Sequence, residues 1–311
     1  MIVYGPVPSR RLGRSLGVNH VPPKTCSYSC VYCQLGLTDN MICERRPFYD
    51  PELIASSVKM KVETTKEKID FITFVPDGEP TLDINLGKEI EAVKEIGIKT
   101  AVICNSSLLW MDDVRSDLAI ADWVSLKVDA VNLDTWRRID RPHGRLERGA
   151  VLEGMREFAS MYKGTLTTET MLVKGLNDGE ETKHIAAFLK ELKPDVSYIA
   201  IPTRPPAEDW VKPADEEVVN GAYQVFSHVL RNVEYLIGYE GNAFASTGDF
   251  EEDIMSITAV HPMREDAVRH LLRRDDARWE KVEQLIHEDK IVELSYLANK
   301  YYMRRIPSRL K

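Results

Sequence analysis

Cys26-Ser27-Tyr28-Ser29-Cys30-Val31-Tyr32-Cys33 sets three thiols in a Cys-x3-Cys-x2-Cys array, with an aromatic residue directly before the last. A loop this short can wrap three thiolates around one face of a 4Fe–4S cube. The fourth iron is then left without a protein ligand. An open metal position is where a substrate or cofactor binds. The same thiols also suit a zinc knuckle, with Cys43 or His20 as the fourth ligand. Five cysteines, an odd number with three clustered, argue against a disulfide scaffold and suit a reducing cytoplasm.

Upstream lies Gly5-Pro6-Val7-Pro8-Ser9-Arg10-Arg11-Leu12-Gly13-Arg14-Ser15-Leu16-Gly17-Val18. Its prolines and glycines bar a regular helix. Ser15 to His20 reads as the first strand, delivering the chain to the cysteine loop. Arg10, Arg11 and Arg14 are placed to line a cavity mouth and hold a phosphate or carboxylate. The other reading is structural ion pairing with the acidic middle of the chain.

Downstream, buried-strand patterns alternate with helical ones. Strands are expected at 69–75, 99–104, 123–128, 166–173 and 196–201, with 233–237 closing the sheet. Helices are expected at 51–66, 84–96, 112–120, 132–140, 146–162, 180–192 and 215–230, and Gly97 serves as a C-cap. Such alternation means right-handed βαβ units and a parallel sheet, either doubly wound or a barrel. Function then belongs at the C-terminal strand ends.

The residues at those ends are informative. Pro76-Asp77-Gly78-Glu79-Pro80-Thr81-Leu82 offers a close backbone approach at Gly78 and a carboxylate at Glu79. Asn105, Ser106 and Ser107 follow Cys104 and can hydrogen-bond a ribose or carboxylate. Ser125, Lys127 and Asp129 alternate, so they share a face, as do Thr167, Glu169 and Met171. Lys127 either serves a ligand or pairs with Asp129 or Glu169 beneath the site. Cys43 and Cys104 read as a fourth ligand, a hydrogen donor or buried small hydrophobes.

The cysteine array resembles the signature of the radical S-adenosylmethionine (radical SAM) superfamily. With Gly5 to Gly17 before it, the chain is similar to the subgroup of iron–sulfur oxidoreductases related to the wyosine synthases of tRNA. The resemblance implies a partial (β/α)6 barrel and one 4Fe–4S cluster on Cys26, Cys30 and Cys33. It implies SAM as the second cofactor, and a flavodoxin- or ferredoxin-type electron donor as partner. The superfamily binds the amino group of SAM with a Gly-Gly-Glu type turn. Gly78, Glu79 and Pro80 match that turn, and Asp77 departs from it. By the same resemblance Tyr32 and backbone near Val173 and Ile201 would contact adenine. Asn105, Ser125, Lys127 and Asp129 would complete the cofactor site, with Arg10, Arg11, Arg14, Lys127 and Cys104 as catalytic candidates. Two spare cysteines do not supply the second cluster that wyosine synthases use.

Residues 239–253 are polar and glycine-rich and read as a linker between a core at 1–240 and a module at 254–311. Helices at 264–273 and 276–287 precede a hairpin, 291–294 and 301–304, turning at Asn299-Lys300. That order suggests a winged-helix-like module, which binds nucleic acid, docks a peptide or protein, or simply packs. The net charge of −8 does not favour a nucleic-acid binder. It is uneven, though. Residues 1–50 hold six Lys/Arg against three Asp/Glu, and 254–311 hold twelve against nine. No apolar run is long enough to span a membrane, and the first residues lack the pattern of a signal peptide.

Three functions fit: an RNA-base-modifying enzyme, an enzyme acting on a peptide, protein or small metabolite, and a metal-bearing nucleic-acid-binding regulator.

Overall fold

In the computed structural model, which describes residues 2–238, 244, 246–260 and 262–305, β1 (Val3–Ser9) and β2 (Gly13–Val18) form an antiparallel hairpin. The two-residue strands β3 (Thr25–Cys26) and β4 (Asn40–Met41) pair in parallel and close the stem of the cysteine loop. Then follow α1 (Pro51–Thr64), β5 (Phe71–Phe74), a 3-10 turn (Pro80–Leu82), α2 (Leu86–Lys94), β6 (Lys99–Cys104), α3 (Asp112–Leu118) and β7 (Trp123–Lys127). The core continues through α4 (Leu133–Ile139), α5 (Arg148–Met161), β8 (Thr165–Met171), α6 (Glu181–Leu192), β9 (Val196–Ala200), α7 (Glu216–Val229) and β10 (Val233–Leu236).

One eight-stranded sheet runs β1-β2-β5-β6-β7-β8-β9-β10. Every neighbouring pair after β1–β2 is parallel. Six strand–helix units curl into a half-barrel. β10 extends one edge in parallel, and β1 reverses direction at the other. β2 and β5 to β10 all run parallel, so their C-terminal ends open on the same rim, where the cysteine loop lies. Leu16, Ile72, Val102, Val124 and Leu126 of the sheet are fully buried beneath Ile54, Val58, Ile90, Val151 and Phe158 of the helices.

A second core gathers Ile254, Ile257, Met263, Val268, Leu271, Val282, Leu285 and Tyr302. It is built from α8 (Phe250–Val260), β11 (Met263–Arg264), α9 (Glu265–Arg274), α10 (Glu280–His287) and the hairpin β12 (Ile291–Tyr296)–β13 (Asn299–Arg304). The hairpin leans on the barrel. Tyr296 Oη donates to the Pro202 carbonyl at 2.9 Å, and Tyr301 Oη to that of Thr203 at 2.8 Å.

Several expectations need correction. The Pro/Gly-rich start holds a strand, β1, and the first parallel strand ends at Val18 rather than His20. α2 starts at Leu86 rather than Ile84 because a 3-10 turn precedes it. α8 begins at Phe250, within the stretch read as linker and upstream of the expected start at 254. Gly241 and Asn242 of that stretch lie outside the described residues. The hairpin turns at Leu297-Ala298, both in left-handed backbone, so Asn299 and Lys300 are strand residues. Gly97 does follow α2 with φ +83°, where a side chain would be strained.

Candidate active site

The cysteine loop is held from several sides. Ser29 N–H donates to Asp140 O at 3.0 Å and Val31 N–H to Ile139 O at 2.9 Å, tying it to the end of α4. Asn105 Nδ2 donates to Ser27 Oγ at 2.9 Å and lies 3.5 Å from Cys26 Sγ. Cys26, Cys30 and Cys33 keep partial exposure, whereas Cys43 and Cys104 are buried. Among the described residues no three Cys, His, Asp or Glu side chains converge as they would around a single ion. A structural zinc site closes with four ligands, whereas a cube can be held by three thiolates with one iron left open, so three thiols in one loop suit the cube. His20 is no zinc ligand here. It is fully buried, with Nε2 3.2 Å from the Pro80 carbonyl and its ring edge-on to Phe74.

Burial, and next the charge of Glu79, push the Cys26 thiol up to about 12. Burial and then Asp140 push Cys30 well above its ordinary value. Such thiols stay protonated unless a cation arrives, and metal charge reverses that balance.

The turn after β5 is packed directly against this loop. A Cβ on Gly78 would stand 2.0 Å from the Thr25 carbonyl oxygen, so only glycine fits. Glu79 N–H donates to that same carbonyl at 3.1 Å, and Lys24 N–H to Asp77 O at 2.6 Å. The Glu79 carboxylate, 1% exposed, accepts from Thr81 Oγ1 at 2.6 Å and N–H at 3.1 Å, and from Asn105 N–H at 2.7 Å. Burial lifts its pKa to about 7, against those bonds. A carboxylate has about four lone-pair sites, so one remains for an ammonium.

Between the loop and β7–β9 lies a cavity of about 270 Å³, lined by Arg10, Arg11, Tyr32, Lys127, Glu169 and Ile201 among others. Lys127 and Arg11 both pair with Glu169, and Lys127 Nζ sits 5.0 Å from the centre of the Tyr32 ring. Burial alone would raise Glu169, but these two cations outweigh it and hold it down at about 2. Tyr32 Oη donates to Asp129, whose other oxygen accepts from Met171 N–H at 2.7 Å. Asp129 is therefore occupied, and the buried partner of Lys127 is Glu169. A second cavity of about 170 Å³ adjoins the first, sharing Arg11, Gln34 and Arg204.

Not every expected residue reaches the site. Arg14 does not line the cavity: its guanidinium turns outward to Glu67 at 2.8 Å. Arg10 lines the cavity wall and donates to the Leu236 carbonyl at 2.9 Å. The Val173 backbone is already engaged, with one carbonyl lone pair left over. Its N–H donates to Asn177 Oδ1 at 2.9 Å, and its carbonyl accepts from Leu176 N–H at 3.1 Å. Cys104 is buried with Sγ 3.7 Å from the Ser125 carbonyl, which fits the small-hydrophobe reading. Ser125 is 1% exposed beside it.

Sequence reasoning missed Asp140, 3% exposed, whose Oδ1 accepts from Cys30 Sγ at 3.5 Å. It also missed Gln34, which accepts from Arg204. Gln34 adjoins Cys33 and could have been marked on that ground; nothing local marks Asp140.

The family model for the radical SAM superfamily matches residues 21–189. A UPF0026 protein of Methanocaldococcus jannaschii is 47% identical across 100% of this chain and 98% of its own length. Among solved structures, TYW1 with a lysine–pyruvate adduct bound superposes with TM-score 0.54 at 17% identity, over 70% of this chain and 74% of that one. Streptococcus suis SuiB bound to S-adenosylmethionine gives 0.53 at 13% identity, over 70% and 49%. The chain belongs to the radical SAM superfamily. It is a radical SAM enzyme, of a family whose cofactors are a 4Fe–4S cluster and S-adenosylmethionine. No helix among the described residues is long and apolar enough to cross a membrane.

Proposed function

We propose that Cys26, Cys30 and Cys33 hold the cluster, and that SAM lies between it, Glu79 and the cavity beside Tyr32. The observation that carries this reading is the cradle at Gly78. It brings the Glu79 turn into backbone contact with Thr25, next to Cys26. With both cofactors bound, the chemistry supplied is one-electron cleavage of the sulfonium to a 5′-deoxyadenosyl radical, which takes a hydrogen atom from the substrate.

The chain's own residues orient and exclude. Glu79 accepts from the ammonium of SAM. Asn105 fixes both the Glu79 carboxylate and the cysteine loop. Tyr32, locked by Asp129, walls the adenine side together with Ile201. The Lys127–Glu169–Arg11 group fills the barrel interior. Lys127 is held protonated, because Glu169 and Asp129 outweigh the burial that would lower its pKa. It is thus a positioning charge rather than an amine nucleophile. The enzyme works in a reducing cytoplasm with a flavodoxin- or ferredoxin-type donor.

The substrate is a small molecule, or a residue or base presented singly. The two cavities are small, and β1 and the C-terminal hairpin flank their mouth. The C-terminal elements follow the helix–strand–helix–helix–hairpin order of a winged helix, and we assign them as such. The tyrosine contacts favour packing as its role. Anaerobic reconstitution followed by dithionite reduction tests the proposal. Release of 5′-deoxyadenosine from SAM that is lost in Cys30→Ala supports it. Zinc bound in place of iron refutes it.

A further inference from the structure

The family resemblance has a glycine where this chain has Asp77. The side chain is 4% exposed and lines the smaller cavity with Tyr4, Ser15, Thr73, Ile103 and Arg11. Its orientation is fixed. Asn19 Nδ2 donates to Asp77 Oδ2 at 3.0 Å, and Asp77 N–H donates back to Asn19 Oδ1 at 2.9 Å. Oδ1 has no hydrogen-bond partner. A buried acceptor left open costs about 1–3 kcal/mol, more when charged. A residue that only braced the turn would need the Asn19 pair and no more.

The rest of the lining is mixed, with Ser15, Thr73, Arg11 and Arg204 beside Leu12, Leu35, Val75 and Ile103. Ser15 Oγ and Thr73 Oγ1 are 2.6 Å apart, where a barrel interior is ordinarily apolar. The volume, about 170 Å³, is that of roughly six waters at about 30 Å³ each in the liquid. This is space for one polar moiety, adjoining the cavity assigned above to SAM.

We propose that Asp77 is the recognition group of a substrate subsite, its Oδ1 accepting from an ammonium- or amidinium-type N–H of the substrate. The inference rests on the larger cavity holding SAM, which puts the smaller one on the substrate's side. A charge-assisted bond to a cationic donor is the strongest way to satisfy a buried carboxylate. Burial raises this carboxyl to about 7, partly offset by Asn19, so a cationic ligand would favour its ionised form. Through space the amino terminus and then Arg304 also lower it.

The test uses the full chain, reconstituted anaerobically with iron and sulfide. Thermal-shift titrations are run with methylammonium and methylguanidinium, against tetramethylammonium and acetate at equal ionic strength. Both N–H cations bind the wild type at least tenfold more tightly than tetramethylammonium does, and Asp77→Asn weakens them at least tenfold. Equal binding by Asp77→Asn, or by tetramethylammonium, overturns the proposal. Should Asp77→Asn fail to fold, Asn19→Ala keeps the carboxylate but frees its orientation, and the same ligands weaken at least threefold. Unchanged affinity there overturns the proposal as well. Failure of the SAM reading looks different: wild-type protein would then show no shift with SAM.

Discussion

Asn105, just past the end of β6, places Nδ2 3.5 Å from Cys26 Sγ while its backbone N–H donates to the Glu79 carboxylate at 2.7 Å. Hydrogen bonds to ligand sulfurs help set a cluster's potential. Asn105→Ala is expected to make the cluster harder to reduce, because an N–H donor favours the more negative state. A redox titration followed by electron paramagnetic resonance reads this, and an unchanged or higher potential contradicts it. Loss of such an outer contact also costs roughly 10–100-fold in metal affinity or activity, read as iron retained after gel filtration.

Gly78→Ala forces a methyl to within 2.0 Å of the Thr25 carbonyl oxygen. Backbone must move, because no flexible side chain is there to yield. Overpacking of this kind costs about 1–3 kcal/mol, and here it separates the Glu79 turn from Cys26. The variant is expected to unfold at lower denaturant and to lose SAM binding. A crystal structure with both segments unmoved would contradict the cradle.

Glu169 is held at about 2 by Lys127 and Arg11. A depressed carboxylate contributes stability that is present above its unfolded pKa and lost as pH falls through the folded one. Glu169→Gln therefore costs most at neutral pH, about 3–5 kcal/mol for breaking a buried pair. The gap to wild type is expected to narrow between pH 4.5 and about 2. Urea unfolding across that range checks it, and a constant gap would mean the pair carries no such linkage.

Glu89 on α2 is fully buried, and neither carboxyl oxygen has a partner. Burial, and then the charge of Asp83, raise it to about 9. A raised acid has the opposite sign: the folded state must take up a proton, and the penalty grows as pH climbs from 4.5 to about 9. Glu89→Gln is expected to gain on wild type over that interval and level off above it. A difference independent of pH would contradict the assignment.

Tyr296→Phe and Tyr301→Phe each delete one hydrogen bond to the Pro202–Thr203 backbone. A net bond of this kind contributes about 0.5–1.5 kcal/mol. In the double variant, amide exchange across residues 200–206 is expected to quicken while α1 and α5 stay as protected as before. Unaltered exchange in that loop would show that the hairpin merely rests on it.

The parallel core was legible because its strands are buried on both faces and its helices carry a 3.6-residue period. Phe71–Phe74 and Trp123–Lys127 announce themselves by local pattern alone. The hairpin strand Val3–Ser9 did not, since edge pairing with Gly13–Val18 tolerates prolines that a central strand would not. Among site residues, Cys26, Cys30, Cys33, Gly78 and Glu79 carry their chemistry in short spacing. Asp140 reaches Cys30 only because α4 ends against the loop, a contact spanning more than a hundred residues. Of the two readings open for Arg14, the structure takes the ion pair, because which way a guanidinium turns is decided by a neighbour far along the chain, here Glu67.

Val3 and Val7 sit on one seven-residue strand, yet Val3 packs in the barrel core and Val7 against the core of the C-terminal helices. A single extended segment is thus stitched into both hydrophobic bodies. Neither can melt without pulling on the other, so heating should give one cooperative calorimetric transition rather than two.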